Sequence, residues 1–334
     1  MPTSPPTPPR VADLFQDPRR ENCPWCGSGN LRTRARAAAP GPGDPGMFVM
    51  DQCRACGHAF QNPRLTAEGL AFHQLDFFAR RLDDFAERSL SPGAVRRRHL
   101  AAARTILPLA AEPESWLDVG TGHGRFPETA KEVFPYTSFD GLDPTPRVEE
   151  ALRAERVEEA HIGDLTSPWV LARLRSRYDV VSMFHHLEHA PNPRAELRAA
   201  LAVLRPGGHL LIELPDPRSA FATLLRRWWL PYGQPRHLHL LPPANLCAEL
   251  RARGCEILTT DRRAPHIPYD LSGALAIFLT HVPGPVRRAA APLLAAASAL
   301  DRALAPLLRH TCFSNAYRIV ARKPSAPRQR GQAT

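Results

Sequence analysis

Lysine is almost absent from this 334-residue sequence, which leaves its positive charge to arginine. Only Lys131 and Lys323 are lysines among 43 basic side chains, and 33 acidic side chains leave a net charge of +10. The arginines are spread along a chain rich in proline and alanine, without a concentrated patch of basic and aromatic residues. Charge alone therefore does not favour nucleic acid as a partner.

Membrane-spanning and secretory segments are also missing from the pattern. The longest apolar stretches, 271–282 and 289–300, are shorter than the roughly 20 residues that a helix needs to cross a bilayer. The first ten residues, MPTSPPTPPR, contain no apolar core of a secretory signal. We therefore expect a cytoplasmic protein whose seven cysteines are thiols or metal ligands, because disulfides are rare in that compartment.

The composition changes along the chain and predicts four consecutive segments. The first two are a disordered proline-rich leader (1–20) and a four-cysteine zinc ribbon (21–65). They are followed by a helical bridge (66–112) and an α/β domain (113–334) that contains a helical insertion (264–312). In the last segment short apolar strands alternate with helix-length stretches, which predicts a doubly wound, Rossmann-like sheet. The seven predicted strands are 116–119, 138–142, 160–162, 179–184, 209–214, 256–260 and 315–321.

Two matching CxxCG motifs predict a metal site. Cys23 and Cys26 form the first pair, Cys53 and Cys56 form the second, and the glycine after each pair completes a tight turn. Four thiolates suit a tetrahedral structural zinc, because they leave no open position for catalysis. Two disulfides or a redox pair are the alternatives. His58 lacks ligand spacing and is expected to be a surface or packing residue.

A glycine-rich turn follows the first predicted strand of the sheet. Asp118 precedes Gly120, Gly122 and Gly124, which let a ligand approach the backbone closely at the carboxyl end of that strand. Arg125 stands where the dinucleotide fingerprint has its third glycine, and this disfavours a nicotinamide cofactor.

Two further acids end the next two strands. Asp143 is placed to accept hydrogen bonds from ribose hydroxyls, and Asp164 is placed to receive an adenine amino group. Either acid alone is more often a turn or cap residue. Three acids at three successive strand ends, together with the glycine turn, favour a nucleoside-containing ligand.

The same segments resemble those of the class I S-adenosylmethionine-dependent methyltransferases. The resemblance lies in LDVGTGHGRF (117–126), GLDP (141–144), GDL (163–165), YDVVSMFHHLEHAPNP (178–193) and LRPGGHLLIELPDP (204–217). It implies a seven-stranded methyltransferase sheet that binds S-adenosylmethionine, with the three glycines against the methionine moiety, Asp118 at its amino end, Asp143 on the ribose and Asp164 on the adenine. With the four-cysteine unit in front, the chain is similar to a bacterial branch that includes sugar C-methyltransferases, and its core is similar to quinone O-methyltransferases.

Histidines are the natural candidates for a base that deprotonates an acceptor hydroxyl, because their pKa lies near neutrality. His237 lies in a Pro-Arg-His-Leu stretch that faces the acceptor in similar enzymes, and it is the first candidate. His186 and His189, just past the fourth strand, are the alternatives. In another functional interpretation, Glu188 and His189 bind a divalent metal that polarises the acceptor. The plainer interpretations are that 187–189 shapes the cofactor pocket and that His237 fixes its loop to the backbone.

The sequence therefore predicts methyl transfer to the hydroxyl or carbon of a small metabolite, a sugar or a lipid-linked acceptor. An RNA methyltransferase is a second candidate, because some ribosomal RNA enzymes also place a zinc ribbon before this fold. The chain lacks the Asn/Asp-Pro-Pro-Tyr motif of amine methylation, and this weighs against an RNA methyltransferase. A non-catalytic interaction protein with a zinc unit and a vestigial cofactor pocket is the third candidate.

The leucine-rich part of the insertion, 268–309, has two interpretations. It is a helical lid on the acceptor side of the sheet, or it is a peripheral contact with the inner face of a membrane. In the second case Arg287, Arg288, Arg302 and Arg309 meet anionic headgroups while the leucines enter the acyl boundary.

Overall fold

The computed structural model describes residues 15–38, 47–70, 91–232 and 236–325, and the contacts divide the chain into two compact units. We call the first the ribbon unit; it consists of Met1–Leu90, Asp216–Pro242 and Ile267–Asn315. We call the second the sheet unit; it consists of Ser91–Pro215, Pro243–His266 and Ala316–Thr334. Each unit is therefore assembled from segments that lie far apart in the sequence.

The four consecutive segments expected from the sequence stay a prediction. The leader and the bridge lie partly outside the described residues, and the described part of the bridge contains the helix that begins at Pro92. Three helices lie between Asp270 and Leu308, within the range of the predicted insertion.

Strands and helices are numbered here in chain order. The strands are β1 (Leu31–Ala38), β2 (Met47–Cys53), β3 (Ala59–Gln61), β4 (Ser115–Val119), β5 (Ser138–Asp143), β6 (Glu159–Ile162), β7 (Tyr178–Phe184), β8 (Leu204–Pro215), β9 (His239–Leu240), β10 (Glu256–Asp261) and β11 (Ala316–Arg322). The helices are α1 (Pro92–Ala103), α2 (Arg125–Ala130), α3 (Arg147–Arg153), α4 (Pro168–Leu174), α5 (Pro193–Val203), α6 (Ala220–Leu225), α7 (Pro243–Ala252), α8 (Asp270–Thr280), α9 (Gly284–Ala289) and α10 (Ala291–Leu308). Two 3₁₀ turns, Arg226–Trp228 and Leu230–Tyr232, follow α6.

The sheet unit contains a seven-stranded mixed sheet in the order β6-β5-β4-β7-β8-β11-β10. The five strands from β6 to β8 are parallel, and β11 runs antiparallel to both β8 and β10. The predicted α/β fold and all seven predicted strands are confirmed. The strand order reverses at β4, and open α/β sheets bind ligands outside the carboxyl ends of the strands at such a point.

The central strands are apolar because helices cover both faces of a parallel sheet. Trp116 on β4 is fully buried and packs against Phe126, Phe134 and Phe139, with ring centroids 5.4–5.7 Å apart. Its indole N–H donates to the hydroxyl of Ser182, so the polar end of this large side chain is satisfied. This cluster fixes the end of β4 and the start of α2, between which the glycine turn lies.

The ribbon unit contains a four-stranded antiparallel sheet in the order β1-β2-β3-β9. Its last strand comes from far along the chain: Ala59 pairs with Leu240, and Phe60 pairs with His239. The sequence did not predict β9, because a strand of two residues carries no hydrophobic period.

Two buried carboxylates hold the helices of the insertion in place. Asp270 accepts hydrogen bonds from the indole of Trp229 at 2.9 Å and the amide of Asn315 at 2.6 Å. Asp301 on α10 accepts from the backbone N–H of Leu271 at 3.0 Å and of Ser272 at 2.8 Å, at the start of α8. Because buried acids are costly unless they are hydrogen-bonded, these contacts fix how α8 and α10 pack.

Candidate active site

The glycine turn between β4 and α2 uses backbone conformations that side chains disfavour. Gly120, Gly122 and Gly124 have φ angles of 76°, 53° and 71°. A Cβ atom at Gly120 would lie 2.9 Å from Nδ1 of His186, and one at Gly124 would lie 2.8 Å from the Cβ of Ala151. Nothing lies within 4 Å of a Cβ at Gly122. Close packing thus explains two of the glycines, and Gly122 alone borders open space.

Asp143 at the end of β5 holds this turn. One carboxylate oxygen accepts the backbone N–H of Gly122 at 2.9 Å, and the other accepts the N–H of Thr145 at 2.9 Å together with its hydroxyl. Asp143 is only 3% exposed. The structure therefore brings two predicted ligand-binding residues together at the adjacent ends of β4 and β5.

Asp118 lies beneath the turn, at the end of a chain of hydrogen bonds. Its carboxylate accepts from the hydroxyl of Ser182 at 2.6 Å, and that hydroxyl accepts from the indole of Trp116 at 2.9 Å. Burial raises the pKa of Asp118 to about 7, although the hydrogen bond from Ser182 opposes the shift. A carboxyl group with this pKa changes its charge near neutral pH.

Asp164 follows β6 and is exposed. The backbone N–H of the preceding Gly163 donates to the carbonyl of Asp143 at 3.1 Å, which brings this strand end beside the glycine turn. Trp169, at the start of α4, is 55% exposed, and its ring lies 2.9 Å from where a Cβ of Gly163 would be. Trp169 was not among the residues predicted from the sequence; an aromatic side chain six residues after Gly163 was the available signal.

The turn after β7 contains three histidines with different surroundings. His185 has a left-handed φ of 50°. Its Nε2 lies 3.0 Å from the guanidinium of Arg98, which is only a donor, and its Nδ1 lies 3.2 Å from Glu188. Nε2 therefore accepts and Nδ1 carries the proton, so His185 is a structural link between α1 and this turn.

His186 lies against the glycine turn and pairs with a buried acid. Its Nε2 is 3.5 Å from the carboxylate of Glu196 on α5. Burial alone would lower the pKa of His186, but the hydrogen bond and charge of Glu196 and the charge of Glu188 raise it. With Nε2 facing the acid, Nδ1 is the nitrogen that can accept a proton, and it is the ring atom nearest Gly120. Glu196 belongs to no motif and was missed.

The other two candidate histidines are placed as follows. His189 is half-buried in the sheet unit, and its backbone N–H donates to the carbonyl of His186 at 3.0 Å. His237 is in the ribbon unit, and its Nδ1 donates to the carbonyl of Pro231 at 2.8 Å. That contact is the one expected of a histidine that fixes its loop to the backbone, while a catalytic role for either residue stays a prediction.

The four cysteines predicted to bind metal lie together in the ribbon unit. The sulfurs of Cys23 and Cys56 are 3.7 Å apart, those of Cys26 and Cys53 are 3.5 Å apart, and all four lie within 4.8 Å of one another. Zinc–sulfur bonds of about 2.3 Å in a tetrahedron require sulfurs about 3.8 Å apart. The residues present therefore fit a closed four-thiolate zinc site.

His58 is fully buried beside these cysteines and is therefore a packing residue, one of the two placements expected from the sequence. Its Nδ1 lies 3.6 Å from the sulfur of Cys23, and its Nε2 lies 3.2 Å from Nδ1 of His239. The two imidazoles are stacked, with centroids 5.2 Å apart. His58 thus connects the cysteine cluster to strand β9.

Comparison with known proteins points to one group. The model of a methyltransferase domain family matches residues 94–260. A ubiquinone biosynthesis O-methyltransferase of Aeromonas salmonicida (strain A449) is 29% identical over 158 residues, which are 45% of this chain and 65% of that protein. One from Xanthomonas campestris pv. campestris (strain B100) is 28% identical over 204 residues, 57% of this chain and 83% of that protein. The chain thus spans slightly less than two thirds of the first relative.

A solved structure of a SAM-dependent methyltransferase from Archaeoglobus fulgidus also resembles the chain. It has a TM-score of 0.43 and 20% identity, and the match covers 68% of this chain and 94% of that one.

Proposed function

We propose that this chain, which belongs to the methyltransferase domain family and is an S-adenosylmethionine-dependent methyltransferase, acts on a hydroxyl group or a carbon of a small acceptor. The glycine turn is the observation that carries the proposal. Gly122 is the one glycine of the turn that borders open space, and its N–H donates to the carboxylate of Asp143 on the next strand. Gly122 leaves room for a ligand, and Asp143 keeps the turn in place.

The described residues fit the cofactor at three neighbouring strand ends. Asp143 would take the ribose hydroxyls, because each carboxylate oxygen can accept more than one hydrogen bond. Asp118 would hold the positively charged methionine end, and Asp164 the adenine amino group, with the exposed indole of Trp169 beside it. When bound, S-adenosylmethionine supplies a methyl group on a sulfonium, which a nucleophile displaces in line.

His186 is the base that we propose for an acceptor hydroxyl. Glu196 orients its ring and increases its basicity, which leaves Nδ1 to take the proton at the glycine turn. Glu196 is thus a positioning residue. His237, the first candidate from sequence, has its Nδ1 engaged by a backbone carbonyl, and we propose that it fixes the loop before β9.

The acceptor that we favour is a hydroxyl of a small metabolite. The relatives in the comparison are named for O-methylation in ubiquinone biosynthesis. A sugar carbon and a lipid-linked hydroxyl are further candidates, in keeping with the resemblance of the four-cysteine chain to sugar C-methyltransferases. We propose a cytoplasmic location for this chemistry.

We also propose that Cys23, Cys26, Cys53 and Cys56 bind one structural zinc per chain. The sulfur separations match a tetrahedral site. Cys23 lies next to His58, which is buried and contacts β9, so the metal would stabilise the attachment of β9 to the ribbon.

Two measurements test the function. Isothermal titration with S-adenosylhomocysteine should show one binding site per chain, and its absence would favour an interaction protein with a vestigial pocket. Extracts incubated with the enzyme and a labelled methyl donor should yield a labelled small molecule that survives RNase. Labelling that RNase removes would instead favour the RNA methyltransferase.

The base is tested by pH profiles of single variants. His186→Asn should lower kcat while leaving S-adenosylhomocysteine affinity unchanged. Glu196→Gln should move the acid limb of the profile to lower pH, because His186 must be neutral to accept a proton and Glu196 raises its pKa. His237→Asn is the comparison variant, and loss of turnover there with full activity in His186→Asn would move the base to His237.

A further inference from the structure

A stripe of exposed leucines runs along α10. Asp301 is the only buried residue among its eighteen. Leu293, Leu300 and Leu307 are 59%, 48% and 70% exposed, and their spacing of seven residues places them on one stripe. In the described part of the chain, α10 is the one helix that is long and apolar enough to cross a membrane.

The two later segments of the ribbon unit, one of which contains α10, have exposed charges of one sign only. Segments 216–232 and 267–315 contain three aspartates, all buried: Asp216, Asp270 and Asp301. They contain seven arginines, all exposed: Arg218, Arg226, Arg227, Arg287, Arg288, Arg302 and Arg309. These two described segments therefore present positive charge and no exposed carboxylate to their surroundings.

One side of α10 packs against the start of α8 within the ribbon unit. Asp301, near the middle of the helix, accepts two backbone N–H groups and the hydroxyl of Ser272 at the start of α8. A bilayer-spanning helix would need to take this carboxylate out of its hydrogen bonds and into hydrocarbon, which is costly. Because the leucine stripe is exposed while Asp301 stays in its hydrogen bonds, α10 is suited to lie in the membrane interface rather than to cross the bilayer.

We propose that the leucine stripe of α10, together with the exposed arginines of these two segments, is a docking surface for an anionic phospholipid membrane. The leucines enter the acyl boundary and the arginines contact the headgroups, as in interfacial helices. A second copy of this chain is a poorer occupant, because two such faces would bring arginine against arginine with no carboxylate to pair. The proposal does not depend on the methyl-transfer chemistry.

Flotation with vesicles tests the charge requirement. The full-length protein should float with phosphatidylglycerol vesicles at low salt, remain below phosphatidylcholine vesicles, and be released by high salt. R302Q/R309Q should lower the vesicle partition coefficient about 30-fold, the equivalent of about 1 kcal/mol per arginine. R153Q/R173Q, which removes two exposed arginines of the sheet unit, is the matched control and should float as the unchanged protein does.

A second pair of variants tests the apolar stripe. L300Q/L307Q should lower the partition coefficient about tenfold or more, while L107Q/L152Q, at two exposed leucines of the sheet unit, should not. Affinity for S-adenosylhomocysteine should be unchanged in all four variants, which separates lost docking from lost folding. Absence of flotation, equal losses in the controls, or carbonate-resistant insertion would overturn the proposal. So would a concentration-dependent dimer that L300Q/L307Q dissociates, without flotation.

Discussion

Replacement of Asp143 by alanine is the sharpest test of the cofactor site. The carboxylate accepts three hydrogen bonds, one from Gly122 and two from Thr145, and hydrogen bonds to charged groups contribute about 1.5–3 kcal/mol each. Loss of the ribose acceptor and of the support for the turn should weaken S-adenosylhomocysteine binding by about 1–3 kcal/mol. That corresponds to a rise in Kd of about 5-fold to 150-fold, which calorimetry resolves.

Thr145→Val provides the control, because it removes the hydroxyl donor to Asp143 and leaves the carboxylate for the ribose. Its Kd should stay within about threefold of the original, and both variants should first be checked for cooperative thermal unfolding. Unchanged affinity in Asp143→Ala would remove Asp143 from the site. Equal losses in the two variants would show that Asp143 acts only by holding the turn.

Three further outcomes are expected. Metal analysis should find one zinc per chain, and a metal-free original protein would refute the zinc site. Cys53→Ser should not bind zinc and should lower the unfolding temperature of the ribbon unit, while its affinity for the cofactor stays unchanged. Because the pKa of Asp118 is raised to about 7, its contribution to stability is complete below its unfolded pKa and is lost as the pH rises. Asp118→Asn should abolish the part of the loss in unfolding free energy that falls between about pH 4 and pH 7. An unchanged dependence of stability on pH would count against the raised pKa of Asp118. Trp169→Ala should weaken S-adenosylhomocysteine binding severalfold, whereas Trp228→Phe in the ribbon unit should not; equal affinities would exclude contact with adenine.

The large sheet was predictable because each strand carries its own local signal. The buried parallel strands are mainly apolar and end at or just before glycine or acidic residues, so Gly120, Asp143 and Asp164 marked the strand ends directly. The cysteine cluster was equally visible, since ligand spacing is a local property of the chain. In both cases the sequence within a few residues determines the structure.

The partners of the histidines were not predictable, because they come from distant elements. Glu196 lies ten residues from His186 on the next helix, and His239 is 181 residues from His58. Neither spacing is a motif, and only tertiary packing brings the pairs together. The sequence therefore identified His186 as a candidate but not the acid that changes its pKa, and it placed His58 in packing without its partner.

The pairing of β3 with β9 makes the ribbon depend on the order of synthesis. At about 5–20 residues per second, the ribosome needs roughly 10–40 s to make the chain that separates Phe60 from His239. Until then β3 is an edge strand, and exposed strand edges promote association between chains. Both cysteine pairs are made before β3, so zinc can bind before the sheet is complete. A long-range contact of this kind is closed late and slowly, so the four-stranded sheet is completed only after β9 has been made.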